Sequence, residues 1–230
     1  MESVLFLPQS LGVVVPMLIV GAFAMPLITL FTEKKRVFDI YTTVFAVVAL
    51  IFASMNLAYV EMRGGKPIVY PFGGWPPPVG IVYEVDRFGA VLGLLSASVM
   101  LLIVLYSTWY TREMDGYVWY YTLLLGLEAG LLGCIYTGDA FNLFVMIEVL
   151  AISAYGLVAF YRGRPQAVEA AMKYAFIGAA ATTIYFLALV FLYGALGTLN
   201  MADLAVKATG AELLSCLLYT SPSPRDLSTS

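Results

Sequence analysis

The chain has 230 residues, of which 61% are apolar and 12% charged, with a net charge of -3 and no histidine. Its mean hydropathy of +0.89 lies outside the range of soluble domains and indicates a polytopic membrane protein. The small, dispersed charge excludes a nucleic-acid surface, and the lack of histidine removes the commonest metal ligand and general base, and with it most metalloenzyme and hydrolase chemistry.

Six segments reach the roughly 20 apolar residues that a membrane-spanning helix needs. They run over 4–31, 38–59, 88–110, 117–136, 140–161 and 166–193. The predicted fold is therefore an all-α polytopic bundle of about six helices within residues 1–214. The first segment opens on Glu2 instead of a basic region, is too long for a signal peptide and lacks a small-residue cleavage site, so it is expected to be retained. Pro16 and Pro26 are expected to bend it. Between the second and third segments, "YPFGGWPPPVGIVYEVDRFG" (70–89) imposes extended and turned backbone and reads as a loop or hairpin, with Trp75 suited to a membrane interface. A tight turn at Thr137, Gly138 and Asp139 joins the fourth and fifth segments. From Ser215 the chain reads "SCLLYTSPSPRDLSTS", which breaks the membrane pattern and is set apart as a non-native or disordered tail. Cys134 in an apolar run and Cys216 in that tail give no disulfide framework.

Lys34, Lys35, Arg36, Arg112, Arg162 and Arg164 lie in the first, third and fifth connections, against Arg63, Lys66, Arg87 and Lys207 on the other side. The excess of positive charge predicts that the odd connections face the cytoplasm and the N-terminus lies outside.

Three ionisable residues fall well inside predicted helices: Glu128, Glu148 and Lys173. Such a group near the bilayer centre costs on the order of 2.5–3.5 kcal/mol, so it usually faces a bundle interior or a water path. Glu128 and Glu148 lie ten residues either side of Gly138, which places both carboxyls about 15 Å from that end, near the midplane. If they also face each other, repulsion and desolvation together would hold a proton on one of them. Lys173, eight residues after Pro165, approaches from the other side at a depth of about 12 Å and could modulate Glu148. Structural readings stand beside these. Lys173 follows Glu169 by four residues, the order of a helical ion pair. Glu128 lies in "GLEAGLLG", where glycines permit close helix approach and its carboxyl could serve as interhelical glue. Asp139, at a helix start, reads as a cap. No nucleophile with a base, metal cluster or phosphate loop is present in the sequence.

The segments "YPFGGWPPPVGIVYEVDRFGA", "TGDAFNLFVMIEVLAISAYGLVAF" and "AAMKYAFIGAAATTIYFLALVFLYGALGTLNMADLA" together resemble the antiporter-like membrane subunits shared by Mrp cation/proton antiporters, membrane-bound hydrogenases and respiratory complex I (NADH:quinone oxidoreductase). The resemblance covers about residues 70–207 and is closest to the Mrp D-type subunit and its hydrogenase counterpart; "LLGLEAGLLG" around Glu128 is similar to the hydrogenase branch. It implies about fourteen helices with two inverted repeats and broken helices near the midplane. It further implies that Glu148 is the fifth-helix glutamate whose partner lysine belongs to a broken seventh helix with no counterpart among these residues. Lys173 matches a sixth-helix lysine. The implied function is proton translocation, with sodium exchange as an option, within a multisubunit complex of the prokaryotic plasma membrane. Glu148 would be the exchangeable site, and Glu128 and Lys173 would modulate it or extend the path. The implied partners are other membrane subunits, protons or Na+, and lipid. Any electron-transfer cofactors would belong to other subunits, since this chain offers no ligand set for them. The alternative from a different class is a non-transporting scaffold whose buried charges hold helices and partners together.

Overall fold

The computed structural model describes residues 12–208, apart from 76, 113 and 162. The start of the first predicted helix and the tail from Ser215 lie outside the described residues. Among those described, seven α-helices and one small hairpin follow in chain order.

Helix α1 spans Val14–Ile28. Pro16 falls in its first turn, where a missing N–H is no loss, and so needs no bend. Pro26 lies two residues before the end. Beyond it the backbone tightens into i to i+3 bonds, Leu30 N–H to the Leu27 carbonyl at 3.1 Å and Phe31 N–H to that of Ile28 at 3.0 Å, which stop the helix short of 31. Helix α2 spans Lys35–Met62 and buries Phe38, Thr42, Ala46, Ala49, Ala53, Asn56 and Val60, an i+3/i+4 stripe facing inward.

The 70–89 segment resolves as a hairpin. Strands β1 (Ile68–Pro71) and β2 (Val82–Val85) pair antiparallel with Tyr70 opposite Tyr83. Gly73 and Gly74, at φ 68° and 75°, turn the chain after β1 in a conformation that residues with a Cβ avoid. Phe72 packs edge-on against Tyr70 and Tyr83, which ties the hairpin to the buried core.

Helix α3 spans Arg87–Tyr110 and is capped by Asp86, whose Oδ1 accepts the Gly89 N–H at 2.6 Å. Helices α4 (Tyr117–Tyr136), α5 (Ala140–Val158) and α6 (Pro165–Leu196) follow. Proline at N1 and Gly197 as a left-handed C-cap delimit α6. A short helix α7 (Met201–Ala208) was not anticipated. It is too brief and amphipathic for a span, and begins where the Asn200 side chain accepts the Asp203 N–H at 3.1 Å.

Helix α4 is the hub, packed against α1, α2, α3 and α5. Its buried residues include Tyr121, Leu125, Glu128, Leu132 and Tyr136. Helix α6 packs on α5 and buries only Ala171 and Leu189. Five helices, α2 to α6, are long and apolar enough to cross a membrane, while α1 is shorter at 15 residues. The ends bearing Lys34–Arg36, Arg112 and Arg164 form one face, here the basic face; the hairpin and the α4–α5 turn form the other.

Candidate functional site

The heights of the two intramembrane carboxyls are set by the α4–α5 turn, which is clamped from both sides. Gly138 N–H donates to the Val82 carbonyl at 2.9 Å on the hairpin side. On the other side Met201 N–H donates to the Gly138 carbonyl at 2.9 Å and Ala140 N–H to that of Leu199 at 2.8 Å. Asp139 is the α5 cap, its Oδ1 accepting the Asn142 N–H at 2.8 Å, while the Asn142 amide donates to Thr137 Oγ1 at 2.9 Å. The cap reading of Asp139 therefore holds. Tyr83, 3% exposed, is hydrogen-bonded to Asn142, and burial pushes its phenol up to about 12.

Glycines bring α4 and α5 together. A Cβ on Gly130 would lie 2.6 Å from Leu150 N, one on Gly126 the same distance from Ser153 Oγ, and one on Gly133 would collide with Met146 Sδ. These residues define the contacting face of each helix. Glu128 is two residues from both Gly126 and Gly130, and Glu148 two residues from both Met146 and Leu150. Two residues turn an α-helix through about 200°, so each carboxyl leaves its helix on the side away from the other. The facing arrangement considered from sequence therefore does not hold, and the pairing of Gly130 with Leu150 sets the two glutamates about one helical turn apart along the pair. With helix axes about 8 Å apart and each carboxyl standing beyond its own axis, the two lie on opposite sides of the helix pair, much farther apart than the axes.

Glu128 points into the bundle of α1, α2 and α3. It is 0% exposed, and both of its carboxyl oxygens lack a hydrogen-bond partner among the described residues. A buried carboxylate without partner or counter-ion is a costly state. The glycine stripe serves α5, so the glue reading of Glu128, which needs a partner across the interface, finds none there.

Glu148 looks the other way, toward α6. Its stripe on α5 includes Phe144 and Tyr155, seven residues along and within electrostatic range. Phe144 packs on Tyr185 and Phe186, and Tyr155 on Tyr174, with the Tyr155 hydroxyl against Gly178. Glu148 is half-buried and makes no hydrogen bond or ion pair among the described residues. Interpolating between these contacts puts it level with Ala181 of α6.

Lys173 does not join it. It lies eight residues before Ala181, about 12 Å along the axis, with its side chain 70% exposed and Nζ 2.6 Å from Glu169 Oε1. The structure thus brings none of the three intramembrane charges into contact.

A polar cluster that sequence reasoning missed lies at the basic face. Lys35 Nζ is 2.9 Å from Asp39 Oδ1, which also accepts the Tyr121 hydroxyl at 2.6 Å. Tyr121 further bonds Thr111 Oγ1 at 3.1 Å, and the Tyr120 hydroxyl lies 2.9 Å from Ser107 Oγ. The available signal was the i, i+4 spacing of Lys35 and Asp39. No group of His, Cys, Asp or Glu suited to a metal ion occurs among the described residues.

Known proteins share this architecture. Residues 137–220 match the family model described as NADH:quinone oxidoreductase/Mrp antiporter, transmembrane, a match that runs past the boundary drawn at 215. The N subunit of the NADH-quinone oxidoreductase of Desulforudis audaxviator is 40% identical over 169 residues, 71% of this chain and 33% of that protein. The D-type subunit of the Na(+)/H(+) antiporter of Bacillus subtilis is 33% identical over 195 residues, 85% of this chain and 39% of that protein. A chain of the membrane-bound sulfane sulfur reductase, an archaeal respiratory membrane complex, superposes with a TM-score of 0.80 at 34% identity, over 86% of this chain and 40% of that one. The Mrp complex of a Dietzia species shares the fold with a TM-score of 0.73 at 22% identity, over 87% of this chain and 39% of that one. The chain spans 33% to 40% of the length of these relatives.

Proposed function

Because the chain belongs to the NADH:quinone oxidoreductase/Mrp antiporter family of membrane subunits, we propose that it forms part of a proton-translocating subunit of a multisubunit membrane complex, with Glu148 as an exchangeable proton site. It is a multi-pass protein of the prokaryotic plasma membrane. The observation that carries the reading is that Glu148, ten residues from the α4–α5 turn and so near the midplane, has no protein cation or hydrogen-bond donor among the described residues. A charge kept only for assembly is normally paired, whereas an unpaired carboxyl in an apolar helix is neutral while it holds a proton and costly once it gives the proton up. Such a group is suited to taking a proton from one side and passing it on when a cation or water approaches through α6. Glu128, buried on the opposite side of α4, serves as a second, separate proton site. Lys173, held by Glu169 in this structure, would act on Glu148 only after leaving that pair. Sodium exchange is carried by likeness to D-type antiporter subunits.

The scaffold reading keeps one observation in its favour, the locally neutralised Lys173. Glu148→Gln in the intact complex separates the two. In inverted membrane vesicles, lost proton transport with normal assembly supports translocation, whereas unchanged transport sinks the site assignment and lost assembly supports the scaffold.

A further inference from the structure

We propose that Lys35, Asp39 and Tyr121 form the proton entry for Glu128 from the basic face, a route separate from the one through α6 that serves Glu148. This rests on Glu128 being a proton site of the translocation proposed above.

The argument starts from the face of α4 on which Glu128 lies. Tyr121 and Glu128 are seven residues apart, two turns on the same side of the helix, about 10.5 Å along its axis. The Tyr121 hydroxyl reaches Asp39 Oδ1 on α2 at 2.6 Å, so this face looks at α2. Because side chains lean toward the helix N-terminus, the Glu128 carboxyl is inclined toward the Tyr121 end. The α2 residues at intermediate height on its buried stripe are Thr42, Ala46 and Ala49. They are small, and α4 contributes only Leu124 and Leu125 to this stretch of the buried face. The ionisable groups on elements packed against α4 are few. Helix α1 has none, Glu148 of α5 points away, Arg36 of α2 is exposed, Glu84 of β2 lies in the hairpin, and Glu61 of α2 is 3.1 Å from Arg87 of α3 at the far end. Lys35 and Asp39 remain on the Glu128 side.

Accessibility decides the direction. The Lys35 and Asp39 side chains are 21% and 19% exposed, at the start of α2 on the basic face. Toward the hairpin face the polar groups are Ser96 of α3, whose hydroxyl is buried without a partner among the described residues, then Tyr136 and Asn56 at 1% and 2% exposure, with the Tyr136 hydroxyl so close against Gly93 that a Cβ there would collide with it. At the basic end the hydrogen-bonded groups lead out to the partly exposed Lys35 and Asp39, whereas the hairpin end offers only buried ones.

The transfer balances as one proton moved. A hydronium at the surface neutralises Asp39, loosening its pair with Lys35. The Asp39 O–H gives its proton to the Tyr121 oxygen as the Tyr121 O–H proton passes to a water admitted transiently beside Ala46 and Ala49, and the Glu128 carboxylate takes a proton from that water. Thr111, bonded to Tyr121 at 3.1 Å, keeps the phenol in place as its bond to Asp39 reverses.

The test is infrared spectroscopy of the full chain reconstituted in lipid. The carboxylic C=O band of Glu128 is identified by its loss in Glu128→Gln, and its exchange on transfer to D2O is timed. Tyr121→Phe and Asp39→Asn slow that exchange by at least about tenfold, Asp39→Glu restores it, and Glu61→Gln at the opposite face leaves it unchanged. A Glu128 band that exchanges at the original rate in both Tyr121→Phe and Asp39→Asn overturns the entry route while leaving Glu128 as a proton site. Slowing by Glu61→Gln instead overturns the direction. Absence of any carboxylic band from Glu128 in the unmodified protein overturns its role as a proton site, and the route with it. Tyr121→Phe removes one hydroxyl without altering shape, so a folded variant is available even where Asp39→Asn is not.

Discussion

Glu128 and Glu148, each ten residues from Gly138, point in opposite directions from the glycine contact between α4 and α5. On opposite sides of the helix pair and with no shared partner among the described residues, they are independent. The effects of Glu128→Gln and Glu148→Gln on thermal stability in lipid should therefore add in the double variant to within about 0.5 kcal/mol. A coupling well above that size would mean that the carboxyls share a proton or a water chain across the helix pair, contrary to the geometry.

Glu128 offers a test of function against structure through the sign of a stability change. Both of its carboxyl oxygens are buried without a partner among the described residues. Removing a polar group in that state relieves a desolvation penalty of about 1–3 kcal/mol. Glu128→Leu should thus raise the unfolding temperature of the chain and lower proton transport by the intact complex. A fall in stability of the same size would place Glu128 among the residues that hold the bundle together.

Much of this was legible in one dimension. Apolar runs located α2 to α6 to within a few residues at most ends, because hydrocarbon thickness sets their length. The paired glycines and proline run marked the hairpin, and the i, i+4 spacing of Glu169 and Lys173 marked their ion pair. The opposite directions of the two glutamates were also present in the spacing of Gly126, Gly130 and Gly133, once α5 is known to be the helix that this stripe meets. The Asp39–Tyr121 bond was not legible, since it joins residues 82 positions apart and requires knowing that α2 and α4 are neighbours. Helix α7 escaped because eight residues carry too little periodicity, and because its start is fixed by Asn200 and the α4–α5 turn.

The glycine contact predicts a contrast between two substitutions of one kind. Alanine at Gly130 puts a Cβ 2.6 Å from a backbone nitrogen and 2.8 Å from a Cα of Leu150, neither of which can move without separating the helices. It should cost about 1–3 kcal/mol, as overpacking does. At Gly194, inside α6, a Cβ meets nothing within 4 Å, and alanine should stabilise by about 0.5–1 kcal/mol through helix propensity alone. Equal effects in thermal unfolding would show that the α4–α5 approach is looser than described, and with it the orientation of both glutamates.

Tyr83 gives the hairpin clamp a pH signature. Its phenol, buried and bonded to Asn142, titrates at about 12 against an ordinary value of 10.0. Burial disfavours the phenolate, so the folded state holds the proton more tightly than the unfolded chain does. The resulting stabilisation, about 2–3 kcal/mol, is complete below pH 10 and is lost as pH rises through 12. Near-UV circular dichroism should therefore show the hairpin contacts unchanged from neutral pH up to about 10 and weakening above it. Tyr83→Phe keeps the packing on Phe72 but has no proton to lose, and this part of the alkaline transition should vanish from it. An alkaline transition of the same midpoint in Tyr83→Phe would assign the clamp to other groups, leaving the Gly138 and Val82 backbone bond as what positions the α4–α5 turn.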